Sequence, residues 1–132
     1  MYKHTQAIYD ALIGTGKIKC KKVELGSTSA VLVPFETFNI IFANSDDDTD
    51  TSVRVVKLAS KVGMFKRGKM LEKLNALNDK YRYVKFVLDK DGDVNLEYDL
   101  PLSGVNPASC ALELVLRISK IVEEVMPELK SV

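Results

Sequence analysis

The sequence predicts an α+β domain: an antiparallel sheet with packed helices, in the order α-β-β-β-(β)-α-β-β-α. Three stretches carry that prediction. From Met64 to Tyr81 the apolar residues Met70, Leu71, Leu74, Leu77 and Tyr81 recur at three- and four-residue steps, the period of one helix face. Between Tyr83 and Leu100 two runs alternate instead. Val84, Phe86 and Leu88 form the first; Val94, Leu96, Tyr98 and Leu100, set against Asn95, Glu97 and Asp99, form the second. Asp91-Gly92 supplies the positive φ angles of a tight hairpin turn between them. Past Ser103-Gly104-Val105, Asn106 reads as a helix cap and Pro107 as the first helical position. Ala111, Leu114, Val115, Ile118, Val122 and Val125 then make a core stripe, and Pro127 blocks extension beyond about Met126.

The N-terminal half supplies the rest of the sheet. Thr5 is placed to cap a short helix ending at Ile13, with Ile8, Leu12 and Tyr9 toward the core and Gly14 closing it. Gly14-Thr15-Gly16-Lys17 is not a phosphate loop: the spacing is wrong and a strand pattern follows. Ile18–Leu25 reads as a strand whose alternation changes phase, and Gly26-Ser27-Thr28 as a turn. Ala30–Val33 is continuously apolar, as a strand covered on both faces would be, and Pro34 ends or bends it. Thr37–Ala43 puts Phe38, Ile40 and Phe42 on one face and Asn39, Ile41 and Ala43 on the other. In Thr51–Ala59, Val53 and Val55 alternate before Val56 and Leu58 shift phase.

Several motifs invite a chemical reading. Four carboxylates fall among five residues in the acidic loop 44–50, but the internal Gly and closing Glu of a calcium loop are missing. Asp89-Lys90-Asp91-Gly92-Asp93 brings its Gly two positions early, so both stretches read as solvated turns. Arg54, Lys57, Lys61, Lys66, Arg67, Lys69 and Lys73 make a basic segment suited to phosphates. A solvated helix face explains it more simply, and no nucleic-acid-binding motif accompanies it. Asn78 reads as the residue closing the second helix; binding of a ligand by the Asn75 and Asn78 amides is the sharper alternative. Leu112 and Leu116 lie about 100–140° from the core stripe of the last helix. They therefore need cover from another element of the domain, a protein partner or a second subunit.

With 132 residues, 46% hydrophobic and 28% charged, the chain is one soluble globular domain, and a net charge of +1 gives no overall pull toward nucleic acid or anionic membrane. No apolar run approaches the roughly 18 residues of a membrane span and no signal peptide stands out, so a cytoplasmic protein is expected. Cys20 and Cys110 have no metal or disulfide spacing and read as buried free thiols. His4 is the single histidine and stands near a terminus. No nucleophile, base or cofactor constellation emerges, so neither a catalytic site nor a cofactor is expected.

The helix pattern Leu71-x-x-Leu74-Asn75-x-Leu77-Asn78 resembles the YbjN family, grouped with bacterial sensory transduction regulators. So do the Tyr83–Leu88 strand, the Asp89-x-Asp91-Gly92-Asp93-Val94 turn, the Leu96–Leu102 strand and the helix after Gly104-Val105. The resemblance runs from Met64 onward, about half the chain; the first half agrees in its order of elements. It implies a fold like that of the type III secretion chaperones, whose members commonly dimerise and wrap extended client segments, and it implies no established reaction. The expected function is a non-catalytic module binding a protein or peptide partner, possible as a homodimer. A nucleic-acid regulator acting through the basic segment and an enzyme with a carboxylate site are the alternatives.

Overall fold

In the computed structural model, which describes residues 1–46, 50–101 and 106–132, the elements follow the expected order. They are α1 (Lys3–Ile13), β1 (Lys21–Leu25), β2 (Thr28–Pro34), β3 (Asn39–Asn44), β4 (Asp50–Ala59), α2 (Met64–Lys80), β5 (Lys85–Leu88), β6 (Val94–Pro101) and α3 (Pro107–Lys130). The strands form one antiparallel sheet ordered β1-β2-β3-β4-β6-β5. Gly26, at φ +60, turns β1 into β2 with only Ser27 beside it, because Leu25 pairs with Thr28. After β4 the chain crosses through α2 and returns as the β5–β6 hairpin, which docks β6 on β4.

Alternation sorts the sheet into two faces. Val31, Phe42 and Val53 lie side by side on β2, β3 and β4, as do Val55, Leu96 and Phe86 on β4, β6 and β5; all six are buried. The helices pack on this face. α1 brings Ile8 and Leu12 over β2 and β3, and α3 brings Ala111, Leu114, Ile118, Val122 and Val125 over β3 and β4. α2 lays Met70, Leu74 and Leu77 beside β5. Burying each such aliphatic side chain contributes about 1.5–3 kcal/mol before the entropy of ordering is subtracted.

Several local expectations change. Tyr2 occupies the N-cap position of α1, and Thr5 lies inside the helix, fully buried. Its hydroxyl donates to Asn44 Oδ1 at 3.0 Å, while Asn44 Nδ2 donates to Thr51 Oγ1 at 2.9 Å and to the Asp50 carbonyl at 3.2 Å. A long-range partner thus outcompetes local capping. β1 is shorter than predicted, starting at Lys21, and Cys20 and Cys110 are free thiols of intermediate exposure rather than buried ones. The phase change in β4 is real: the register slips between Val55 and Ala59, and Lys57 takes φ +58 there while its N–H donates to Asn95 Oδ1 at 2.9 Å.

The β5–β6 connection is longer than a tight turn, since Leu88 pairs with Val94. Only Gly92 takes a positive φ, +82; Asp91 does not. Asp89 organises the loop, accepting from the backbone N–H groups of Asp91 and Asp93 and from Asn95 Nδ2 at 2.9–3.1 Å. These bonds, that of Asp93 first, hold its carboxyl below the usual range. α3 begins as predicted, with Asn106 Oδ1 accepting from the Ala108 N–H, but runs through Pro127 to Lys130. The helix forgoes the Pro127 N–H there, and buried Leu129 keeps its last turn packed.

Candidate functional site

The helices cover one face of the sheet, and among the described residues nothing lies over the other. One row on the bare face takes a residue from each strand: Lys21, Leu32, Ile41, Arg54, Glu97 and Lys85. Beside it runs Val23, Ala30, Ala43, Ser52 and Asp99. The β1–β3 half of this surface is apolar and partly exposed at Val23, Leu32, Ile41 and Ala43. The β4–β6 half is charged: Arg54 Nη1 stands 2.7 Å from Asp99 and its Nε 4.0 Å from Glu97. β2 is therefore covered by helices on one side only. Ala30 is buried because it is small and flanked by strands on both sides, not because a second layer lies over it.

The two sheet edges differ. On β5, Asn78 of α2 donates from Nδ2 to the Phe86 carbonyl at 3.0 Å, and the Phe86 N–H donates back to Asn78 Oδ1 at 2.6 Å. At Phe86 the side-chain amide takes the place of another strand. Asn78 thus lies within α2, and its role is neither helix closure nor ligand binding. Asn75 is exposed and its side chain makes no hydrogen bond among the described residues. β1, at the other edge, pairs with β2 alone; Lys21, Lys22, Glu24 and Leu25 are exposed, with Lys22 Nζ 4.9 Å from the centre of the Tyr9 ring. Charged edge residues of this kind oppose indiscriminate strand pairing.

The basic segment does not form one uniform patch. Arg54 belongs to the bare sheet face, Lys57 to the β4 irregularity and Lys61 to the link before α2, while Lys66, Arg67 and Lys69 lie on the first turns of α2. Lys73 turns instead toward α3, 3.4 Å from Glu128. At the acidic hairpin, Asp93 Oδ1 accepts from the Lys61 backbone N–H at 3.4 Å. Leu112 and Leu116 stand on the outer side of α3, 40% and 61% exposed, and among the described residues no element covers them. Leu71 is 46% exposed and leaves the core stripe assigned to it. Met64 at 92% and Phe65, fully exposed, add apolar surface that the periodicity did not single out.

A solvent-open cleft of about 330 Å³ lies between the α2–β5 connection and α3, lined by Tyr81, Tyr83, Arg117, Lys120, Ile121 and Glu124. Its polar groups largely engage one another. Tyr81 donates to Glu124 Oε2 at 2.8 Å, and the Arg117 guanidinium lies 5.2 Å from the centre of the Tyr83 ring while pairing with Glu113 at 2.7 Å. Burial, reinforced at Tyr81 by Glu124 and at Tyr83 by Tyr98, raises both phenols above their ordinary range, away from service as bases at neutral pH. Burial also raises Cys20 and Cys110, the opposite of an activated thiolate. Among the described residues no cluster of His, Cys, Asp or Glu is arranged to hold a metal ion, and no helix is long and apolar enough to cross a membrane. Part of the acidic loop, 47–49, and the link 102–105 lie outside the described residues.

No curated protein matches the sequence. A family model described as "YbjN: Putative bacterial sensory transduction regulator" matches residues 23–119, from β1 into α3, and so reaches well into the N-terminal half where the motifs alone were mute. With that match spanning most of the sheet, α2 and much of α3, the chain belongs to the YbjN family.

Proposed function

We propose that the protein is a non-catalytic regulatory module that takes an extended segment of a protein partner along the β1 edge and the adjoining apolar half of the bare sheet face. The carrying observation is the asymmetry of the sheet: Asn78 bonds both backbone groups of Phe86 on the β5 edge, whereas β1 pairs with β2 alone and adjoins the apolar Val23, Leu32 and Ile41 of the open face. An added strand would gain main-chain hydrogen bonds from the edge, and its alternate side chains would meet the apolar surface. The regulatory description of the family supports the same reading. The exposed Leu112 and Leu116 offer a second contact surface for such a partner.

The test is affinity capture with the tagged protein from its host's lysate, comparing wild type with Leu32→Glu and Ile41→Lys. Both positions avoid the helix-covered core. A stoichiometric protein captured by wild type and lost in both variants is the expected result. Capture that ignores both substitutions would overturn the proposed surface, and nuclease-released nucleic acid in its place would move the function to the basic segment.

A further inference from the structure

Resting on the reading of β1 as an edge that accepts a strand, we infer that a second copy of the chain is itself an occupant of that edge. The two β1 strands pair antiparallel about a two-fold axis through Val23 and join the two sheets into one. Among the described strands β1 pairs with β2 alone, and Lys21, Lys22, Glu24 and Leu25 are exposed along it.

The neighbouring ladder fixes which backbone groups of β1 are left over. The Phe35 N–H donates to the Phe38 carbonyl at 2.8 Å, so this pair continues the β2–β3 ladder past Pro34. Hydrogen-bonded pairs alternate along an antiparallel ladder, which gives Ser29, Val31 and Val33 to β3 and Thr28, Ala30 and Leu32 to β1. Their partners Leu25, Val23 and Lys21 therefore direct their backbone groups at β2. The N–H and C=O groups of Lys22 and Glu24 point away from the sheet.

Charge then selects the occupant and its register. Three antiparallel registers set outward residues of one β1 against outward residues of another. Two of them oppose like charges, Lys22 to Lys22 or Glu24 to Glu24. The third opposes Lys22 to Glu24 twice, with Val23 on the axis, and exchanges four main-chain hydrogen bonds. The same five residues are thus complementary to themselves, which an unrelated strand would have to match separately. The four charged side chains form a square of alternating sign on the helix side of the sheet. Their existing contacts leave room for this: Lys22 Nζ lies 3.5 Å from Gln6 Oε1 and 4.9 Å from the centre of the Tyr9 ring. Glu24 accepts from Ser29 Oγ at 2.9 Å and stands 3.2 Å from the N-terminal ammonium, with 53% of its side chain still exposed. On the open face each Leu25 lies beside the aliphatic stem of the partner copy's Lys21, and the two Lys21 are kept about 13 Å apart along the strands. The apolar halves of the two open faces adjoin across the axis, and the charged β4–β6 halves face outward.

Sedimentation velocity of the full chain from about 10 to 500 μM, combined with disulfide trapping, tests the inference. An interface of one strand is small, so wild type should pass from its 14.7 kDa monomer mass toward twice that value within this range. Lys22→Glu and Glu24→Lys should each raise the dissociation constant at least about tenfold, and the two together should restore it to within about threefold of wild type. With Cys20 and Cys110 replaced by Ser, Val23→Cys should trap a covalent dimer on mild oxidation, because facing residues at the axis lie about 4.5 Å apart at Cα. Lys21→Cys in the same background should not, at about 13 Å. Leu32→Glu and Ile41→Lys lie off β1 and should dimerise as wild type does, so their capture result judges the partner surface separately from self-pairing. The inference is overturned if wild type stays monomeric at the highest concentration, if the single charge reversals keep the wild-type constant, if the exchanged pair fails to restore it, or if Lys21→Cys is trapped as readily as Val23→Cys.

Discussion

Asn78→Ala is the sharpest test of how the sheet is terminated. The substitution removes both bonds between the side-chain amide and Phe86, the 2.6 Å bond from the N–H and the 3.0 Å bond to the carbonyl. Each such bond contributes a net of about 0.5–1.5 kcal/mol, and these backbone groups are partly buried, so water replaces the amide incompletely. Alanine recovers roughly half a kcal/mol of helix propensity. The balance is a destabilisation of about 1.5 kcal/mol. With an unfolding entropy of about 2.1 cal/mol/K per residue, a chain this long should lose roughly 5 °C of thermal midpoint. Hydrogen exchange read by NMR is the decisive assay, because the Phe86 amide should lose more protection than its neighbours in β6. Asn78→Asp keeps an acceptor for the Phe86 N–H but sets a carboxylate against the Phe86 carbonyl, and should be at least as damaging. A midpoint within about 1 °C of wild type, together with unchanged Phe86 exchange, would refute the edge-closing role.

Other perturbations probe the polar and backbone constraints. Asn44→Ala strips Thr5 of its acceptor and Thr51 of its donor at a buried site, and should cost roughly 3 kcal/mol in urea unfolding. Gly92→Ala forces a Cβ to within 3.1 Å of the Val62 carbonyl oxygen at φ +82, and should cost about 1–3 kcal/mol by the same measurement. Because the folded protein depresses the Asp89 pKa, its contribution is fully present above the ordinary carboxylate range and is lost as pH falls through the depressed value. Urea midpoints measured downward from pH 5 should therefore decline less steeply in Asp89→Asn than in wild type over that acidic window.

Much of the fold was legible because period and punctuation act locally. The alternation of Val94, Leu96, Tyr98 and Leu100 and the cap at Asn106 each depend on a few neighbouring residues, and both were read correctly. The misreadings at Thr5, Asn78 and Pro127 have a different cause: each turns on packing or bonding outside the residue's own helical turn. Thr5 has the composition of a cap, but its hydroxyl is taken by Asn44, thirty-nine positions away. Asn78 stands near a helix end, but its amide serves a strand formed only after the chain turns back. Pro127 ends a helix by local rules, yet contacts around Leu129 carry α3 past it.

The interaction surfaces were legible in part, and the missed signal was an excess of apolar residues over the faces available to bury them. Met70 and Leu71 are adjacent, about 100° apart, so one narrow stripe cannot hold both; Leu71 had to face outward once Met70, Leu74 and Leu77 defined the core. Leu112 and Leu116 revealed themselves by the same arithmetic on α3. On the sheet, Ile41 and Ala43 oppose Ile40 and Phe42, and Ala30–Val33 is apolar throughout, so β2 and β3 have two apolar faces. Three helices gathered on one side cover only one of them. The surplus apolar surface therefore lies where the packing of the described residues ends, on the open sheet face and the outward side of α2.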